Sequence, residues 1–202
     1  MSTISRARIV VLISGGGSNL QAVLDACADS TLPADVVAVF SNRADAFGLE
    51  RAARAGVPAV AFPKEKATDR QAYDTLLAQA VLAYQPDWVV LAGWMRLLST
   101  NFLSAFPGRV INLHPALPGA FPGTHAIERA MQAYQRGEIT HTGVMVHLVP
   151  DEGIDSGPVL AQAVVPIFPE DNLETLEARV HQQEHELLVN TLEMVLLKTK
   201  IH

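Results

Sequence analysis

One cysteine, Cys27, stands among 202 residues, so no intrachain disulfide forms. None is needed: at this length roughly 70% of the unfolded chain's surface is buried on folding, enough for a core without crosslinks or structural metals. Cys27 falls in a helical pattern with Leu20, Val23 and Leu24, the setting of a small buried hydrophobe rather than an activated thiol. Long apolar runs are missing as well. Ile9 to Ile13 and Trp88 to Met95 fall well short of the roughly 18 residues a membrane helix needs, and no hydrophobic signal segment follows Met1. Lys and Arg are scarce and scattered, 15 against 21 Asp and Glu for a formal charge of −6, which leaves no electrostatic footprint for a nucleic acid or an anionic membrane. Spaced metal ligands are absent: His181 and His185 lie four apart, but Gln182 replaces the glutamate of H-E-x-x-H and no third ligand is apparent. The expectation is a soluble cytoplasmic protein, monomer or homodimer, without a metal, acting on small molecules and holding any anion by local devices.

What is present is a folded composition, 49% hydrophobic and 18% charged, in which short apolar runs alternate with helical patterns. Strands are expected at Arg8 to Ile13, Asp35 to Phe40, Val57 to Phe62 and Trp88 to Ala92, with helices at Asn19 to Ala28, Ala46 to Ala55 and Arg70 to Tyr84. This rhythm predicts a Rossmann-like, mostly parallel sheet with helices on both faces. Runs such as Val36-Val37-Ala38-Val39-Phe40 lack polar alternation and suit strands buried on both sides. Beyond them, Arg109 to Leu113 reads as a strand and Ala126 to Gln135 as a helix. Thr142 to Val149 and Val159 to Pro166 read as strands flanking a polar loop, Pro150 to Pro158. The Thr142 run alternates more, which predicts an antiparallel or edge addition. No linker or repeat divides the α/β chain, so 1–202 is read as a single domain.

The last helix is expected from about Asn172 to Lys198, opened by Asp171 with Glu174 three positions on, a capping-box arrangement. Its apolar stripe runs Leu176, Val180, Leu187, Thr191 and Val195, with Glu184 in the stripe between Val180 and Leu187. A carboxylate on a face due for burial needs a partner, either an ion pair or a ligand.

Two places carry chemistry. The first strand runs into Ser14-Gly15-Gly16-Gly17-Ser18-Asn19 and a helix, whose backbone amides and dipole suit a phosphate; the same residues also fit a tight glycine turn capped by Ser18. Leu20 stands where a dinucleotide fingerprint has its third glycine, the second strand ends in Ser41-Asn42 rather than an acid, and no Walker lysine follows. The second place is Val110-Ile111-Asn112-Leu113-His114-Pro115, where Asn112 and His114 at i, i+2 share one face of a strand end. An amide beside an imidazole polarises a carbonyl and holds the oxyanion that develops on it. The loop Asp151-Glu152-Gly153-Ile154-Asp155 supplies acids, solvated as in any polar turn, of which one facing His114 would orient the ring and favour its protonated form.

Five segments together resemble the phosphoribosylglycinamide formyltransferases, within the folate-dependent formyltransferases. They are Ile-Ser-Gly-Gly-Gly-Ser-Asn-Leu (13 to 20), Phe-Ser-Asn-Arg-Ala-Asp-Ala-Phe-Gly-Leu (40 to 49), Leu-Ala-Gly-Trp-Met-Arg-Leu-Leu (91 to 98), Asn-Leu-His-Pro (112 to 115) and Asp-Ser-Gly-Pro-Val (155 to 159). The resemblance implies transfer of a formyl group from 10-formyltetrahydrofolate, as co-substrate, to the primary amine of glycinamide ribonucleotide in purine biosynthesis. It implies a catalytic trio of Asn112, His114 and Asp155, in which Asn112 and a protonated His114 hold the oxyanion. Gly17, Ser18 and Asn19 would then hold the acceptor's phosphate and Glu184 its ribose. Arg70, Met95, Arg96, Leu97, Leu98 and Asn112 would face the folate, with the backbone of the Asp151 to Asp155 loop around the pterin. On this reading residues 1 to about 100 form the phosphate-binding half and about 101 to 202 the catalytic half. One departure is local: after His-Pro the family reads Ser-Leu-Leu-Pro, whereas this chain has Ala116-Leu117-Pro118-Gly119. A formyltetrahydrofolate hydrolase and a non-catalytic phosphometabolite-binding module are the competing readings.

Overall fold

The structure, a computed structural model, describes residues 6–199; the first five and last three residues of the span read as one domain lie outside the described residues. Seven strands form one sheet in the order β3-β2-β1-β4-β5-β6-β7. They are β1 (Ala7–Ile13), β2 (Ala34–Ser41), β3 (Ala59–Ala61), β4 (Trp88–Leu91), β5 (Val110–His114), β6 (His141–Leu148) and β7 (Val159–Pro166). The first five run parallel, and β6 and β7 are added antiparallel, as the alternation in β6 predicted. Helices α1 (Ser18–Ala28), α2 (Phe47–Arg54), α3 (Arg70–Leu82), α4 (Thr100–Leu103), α5 (Ala126–Gln135) and α6 (Leu173–Thr199) complete this α/β domain.

Burial of both sheet faces explains the continuous apolar strands. In β1, Ile9, Val11 and Ile13 face a core layer with Leu20 and Val23 of α1 and Leu188 and Leu192 of α6. Val10 and Leu12, one step out of phase, face Tyr73, Leu77 and Val81 of α3, with Phe102 and Phe106. A third cluster joins α5, β6, β7 and the first turns of α6 through Met131, Val144, Val165, Leu176 and Val180. Cys27 is half-buried beside the first layer, and burial pushes its thiol up to about 11, an inert setting.

Several details differ from the expectations. The strand expected over Val57 to Phe62 shrinks to three residues at the sheet edge, and α4 is a single turn with no periodicity to reveal it. The capping box of α6 sits one residue later than Asp171 and Glu174: Asn172 Oδ1 accepts from Thr175 N at 2.9 Å while Thr175 Oγ1 accepts from Asn172 N at 3.1 Å. Asp171 is instead gripped by Arg179 at 2.6 and 2.7 Å. In the buried row of α6, Leu188 rather than Leu187 follows Glu184, so the row steps by four through Leu176, Val180, Glu184, Leu188, Leu192 and Leu196.

Strand order places the functional loops. β1 and β4 are neighbours although consecutive strands leave β1 toward opposite edges, and such a switch point opens a crevice at the carboxyl ends of the strands. The glycine loop after β1, the Gly93 to Leu98 segment after β4 and His114 at the end of β5 all lie along that edge.

Candidate active site

Asn112 and His114 occupy one face of β5, and the antiparallel register sets Asn112 opposite His147 of β6. Asn112 Nδ2 lies 3.1 Å from His147 Nε2 and donates to Asp155 Oδ1, also at 3.1 Å. His147 Nδ1 faces the Leu148 carbonyl at 2.8 Å. A carbonyl only accepts, so Nδ1 carries the proton and Nε2 is left to accept from Asn112. Asp155 arrives from the loop between β6 and β7 with a left-handed backbone, φ 49°. Its Oδ2 accepts from Gly123 N at 2.8 Å and stands 3.3 Å from His114 Nδ1. The trio named from sequence is thus assembled, with His147, buried to 1% exposure, as an unforeseen fourth member.

Burial lowers the His114 pKa below its ordinary 6.5, outweighing the Asp155 carboxylate and the Phe121 carbonyl, which favour the charged ring. This corrects the expectation that Asp155 keeps the ring protonated: desolvation of a nearly inaccessible imidazole is the larger effect. Burial also works against the Asp155 carboxylate, but hydrogen bonds from the Gly123 and Asn112 amides favour its charged form, and its pKa lies below the ordinary carboxylate value. Burial thus favours the neutral imidazole, and the hydrogen bonds to Asp155 favour the ionised carboxylate.

A cavity of about 740 Å³ opens on this cluster, lined by Asn112, His114, His147 and Asp155 together with Met95, Arg96, Leu97 and Leu98. Its size suits a ligand of a few hundred daltons. Met95, Leu97 and Ile154 expose apolar surface there, while Trp94 Nε1 and Arg96 Nε are buried without a hydrogen-bond partner. Arg70 does not line the cavity: its guanidinium is bound by Glu152, which also accepts from Thr100 N at 2.7 Å and Thr100 Oγ1 at 3.0 Å. The loop acids are therefore not simply solvated. Glu152 anchors the loop to α3 and α4, Asp151 Oδ1 accepts from Gly153 N, and Asp155 turns inward.

Gly17, Ser18, Asn19 and Glu184 lie outside that cavity. Gly17 is the α1 N-cap in a left-handed conformation, φ 71°, and no side chain caps the helix, so the turn capped by Ser18 does not form. Ser14 ties this loop to the cavity wall: its Oγ accepts from Met95 N at 2.8 Å and donates to Asn42 Oδ1 at 2.6 Å. Glu184 is buried, and its partner is His181 one turn earlier, Nδ1 to Oε2 at 2.7 Å, rather than an arginine across the core. That contact raises the His181 pKa.

The Ala116-Leu117-Pro118-Gly119 departure forms a turn in which Ala120 N donates to Leu117 O at 3.0 Å, with Pro118 second and Gly119 third at φ 78°. This type II arrangement suits the two residues. It returns the chain to the site, where the Phe121 carbonyl meets His114 Nε2 at 3.1 Å.

Comparison with known proteins agrees with this geometry. Residues 7–192 match the formyl transferase family model. The chain is 46% identical to the phosphoribosylglycinamide formyltransferase of Schizosaccharomyces pombe, over 96% of this chain and 99% of the relative. It is 49% identical to that of Escherichia coli, over 88% and 81%. Among solved structures, glycinamide ribonucleotide transformylase 1 from Symbiobacterium toebii superposes with a TM-score of 0.88 at 43% identity, covering 95% of this chain and 88% of that one.

Proposed function

The chain belongs to the formyl transferase family, and on that premise we propose that it transfers the formyl group of 10-formyltetrahydrofolate to the primary amine of glycinamide ribonucleotide, a step of purine biosynthesis. The observation that carries the reading is the cluster of Asn112, His114, His147 and Asp155 at the head of a cavity with apolar walls.

The folate supplies an electrophilic formyl carbon beside this cluster. As the amine attacks, it must lose a proton, and the neutral His114 beside ionised Asp155 takes it up, the pair titrating as a unit. The imidazolium so formed stands beside the formyl oxygen as negative charge develops on it. Asn112 supplies a second donor by exchanging its Asp155 hydrogen bond for that oxygen, while His147 keeps the amide oriented. The proton then passes to the departing folate nitrogen. Met95, Arg96, Leu97 and Leu98 seat the folate, and Arg70 and Glu152 hold the loop that carries Asp155. The amides of Gly17, Ser18 and Asn19, uncapped at the α1 N-terminus, receive the acceptor's phosphate, and Glu184 its ribose hydroxyls. On this reading the phosphate site falls within residues 1 to about 100 and the catalytic cluster within about 101 to 202, while each substrate draws further contacts from the other half.

An assay of formyl transfer with and without glycinamide ribonucleotide tests the reading. Tetrahydrofolate is expected only with the amine present. Formate release without it would establish a hydrolase, and ligand binding without turnover a binding module.

A further inference from the structure

The loop joining β5 to α5 is held in an unusual shape. Four of its residues take left-handed backbones: Gly119 at φ 78°, Phe121 at 46°, Gly123 at 79° and His125 at 58°. For an aromatic residue such as Phe121 this conformation is costly and persists only where the surroundings impose it. The imposing group is Arg129 of α5. Its Nη2 donates to the Phe121 carbonyl and to the Pro122 carbonyl, each at 2.7 Å, and its guanidinium carbon lies 6.0 Å from the centre of the Phe121 ring.

The Phe121 carbonyl also meets His114 Nε2. Both neighbours of the ring only accept, but only the Phe121 carbonyl stands in hydrogen-bond geometry; Asp155 Oδ2, 3.3 Å from Nδ1, makes a charge contact without a hydrogen bond, so in the neutral ring the proton sits on Nε2 and Nδ1 is left as the base. We propose that Arg129 is a positioning residue that fixes the His114 tautomer through the Phe121 carbonyl, leaving Nδ1 as the nitrogen that takes the acceptor's proton. Arg129 sits in the wall of the same cavity and acts on His114 through that carbonyl. Asp155, His147 and Arg129 itself are the charged or titratable groups around the ring. The cationic head works against a charged imidazole, so a favourable effect of Arg129 on catalysis must come through hydrogen bonding and not through its charge.

The kinetic part rests on the reading of His114 as the proton acceptor; the tautomer does not, and nitrogen NMR of the ring reads it without any substrate. Well above the His114 pKa, the wild-type protein is expected to show the Nε2–H form. Arg129→Met should mix the two tautomers and lower kcat tenfold or more, with both KM values within about threefold. Arg129→Lys, which keeps several donors at nearly the same reach, should recover the Nε2–H form and most of kcat. An Nδ1–H ring in the wild-type protein overturns the proposal even if the Met variant does not fold. So does a Met variant that keeps the Nε2–H form, whether its kcat is normal or falls in step with Tm. Absence of formyl transfer in the wild-type protein would instead count against the enzymatic reading alone.

Discussion

Asp155 sits in a left-handed conformation that Asp and Asn tolerate better than other side chains, so Asp155→Asn changes the charge without changing the backbone. The variant keeps the size of the side chain and loses the anion 3.3 Å from His114 Nδ1. Without that anion only the Phe121 carbonyl offsets the burial that already lowers the imidazole pKa, and the base becomes weaker. We expect kcat to fall by about 10², the scale of a missing acid–base group, with folate KM little changed. Where the neutral ring is the active form, the acidic limb of kcat/KM reports its titration and should move to lower pH in the variant. The ionisation of the acceptor amine is common to both enzymes, so the difference between profiles isolates His114. Near-normal kcat on an unmoved profile would reduce Asp155 to a loop residue and send the search to Asp151 or Glu152.

At the scale of elements, α6 offers the clearest trade between stability and binding. Glu184 interrupts an otherwise apolar buried row, and Glu184→Leu completes it. The cost is the His181 contact. His181 has a raised pKa because Glu184 bonds its charged form, so this contact stabilises fully below the unfolded value near 6.5 and fades as pH rises through the folded value. Calorimetry of Glu184→Leu should therefore give Tm equal to or above wild type at pH 8 to 9, and a less favourable comparison near pH 5.5, together with weaker acceptor binding throughout. A large loss of stability at high pH with normal kinetics would make Glu184 purely structural. The burial of Glu184 was legible in the sequence because it broke a helical stripe, and the parallel strands were legible because their apolar runs lacked alternation. His147 was not. Its role depends on β6 lying beside β5 in a register that sets it opposite Asn112, and no local pattern encodes a register between strands so far apart in sequence. The cap of α6 was misplaced by one residue because Asp171 and Asn172 are equally good caps locally, and Arg179, two turns on, decides between them. Pro118-Gly119 signals a turn by itself, yet its consequence, a carbonyl delivered to His114, depends on an arginine in the next helix.

For the whole molecule, the proposed separation of the acceptor's phosphate site, at the glycine loop, from the folate cavity predicts separable linkage to two ligands. A ligand that binds only the folded protein at 100 times its Kd stabilises it by about 2.7 kcal/mol, which for a chain of this size corresponds to about 5–10 °C in Tm. Tetrahydrofolate and glycinamide ribonucleotide should each produce such a shift. The choice of variant to separate them follows from the glycine loop. A side chain at Gly17 would take a left-handed φ and meet the Gly48 Cα of α2 at 2.8 Å, so Gly17→Val should lower Tm before any ligand is added. Gly16 has nothing within 4 Å of the position its Cβ would take, so Gly16→Val leaves the packing intact while crowding the approach to the α1 amides. In that variant the tetrahydrofolate shift should persist. Glycinamide ribonucleotide should bind at least tenfold more weakly, roughly 1.4 kcal/mol, so that at the same concentration its shift falls to about half or less. Equal loss of both shifts from a variant with normal unliganded Tm would mean that the glycine loop is not a site for the acceptor alone.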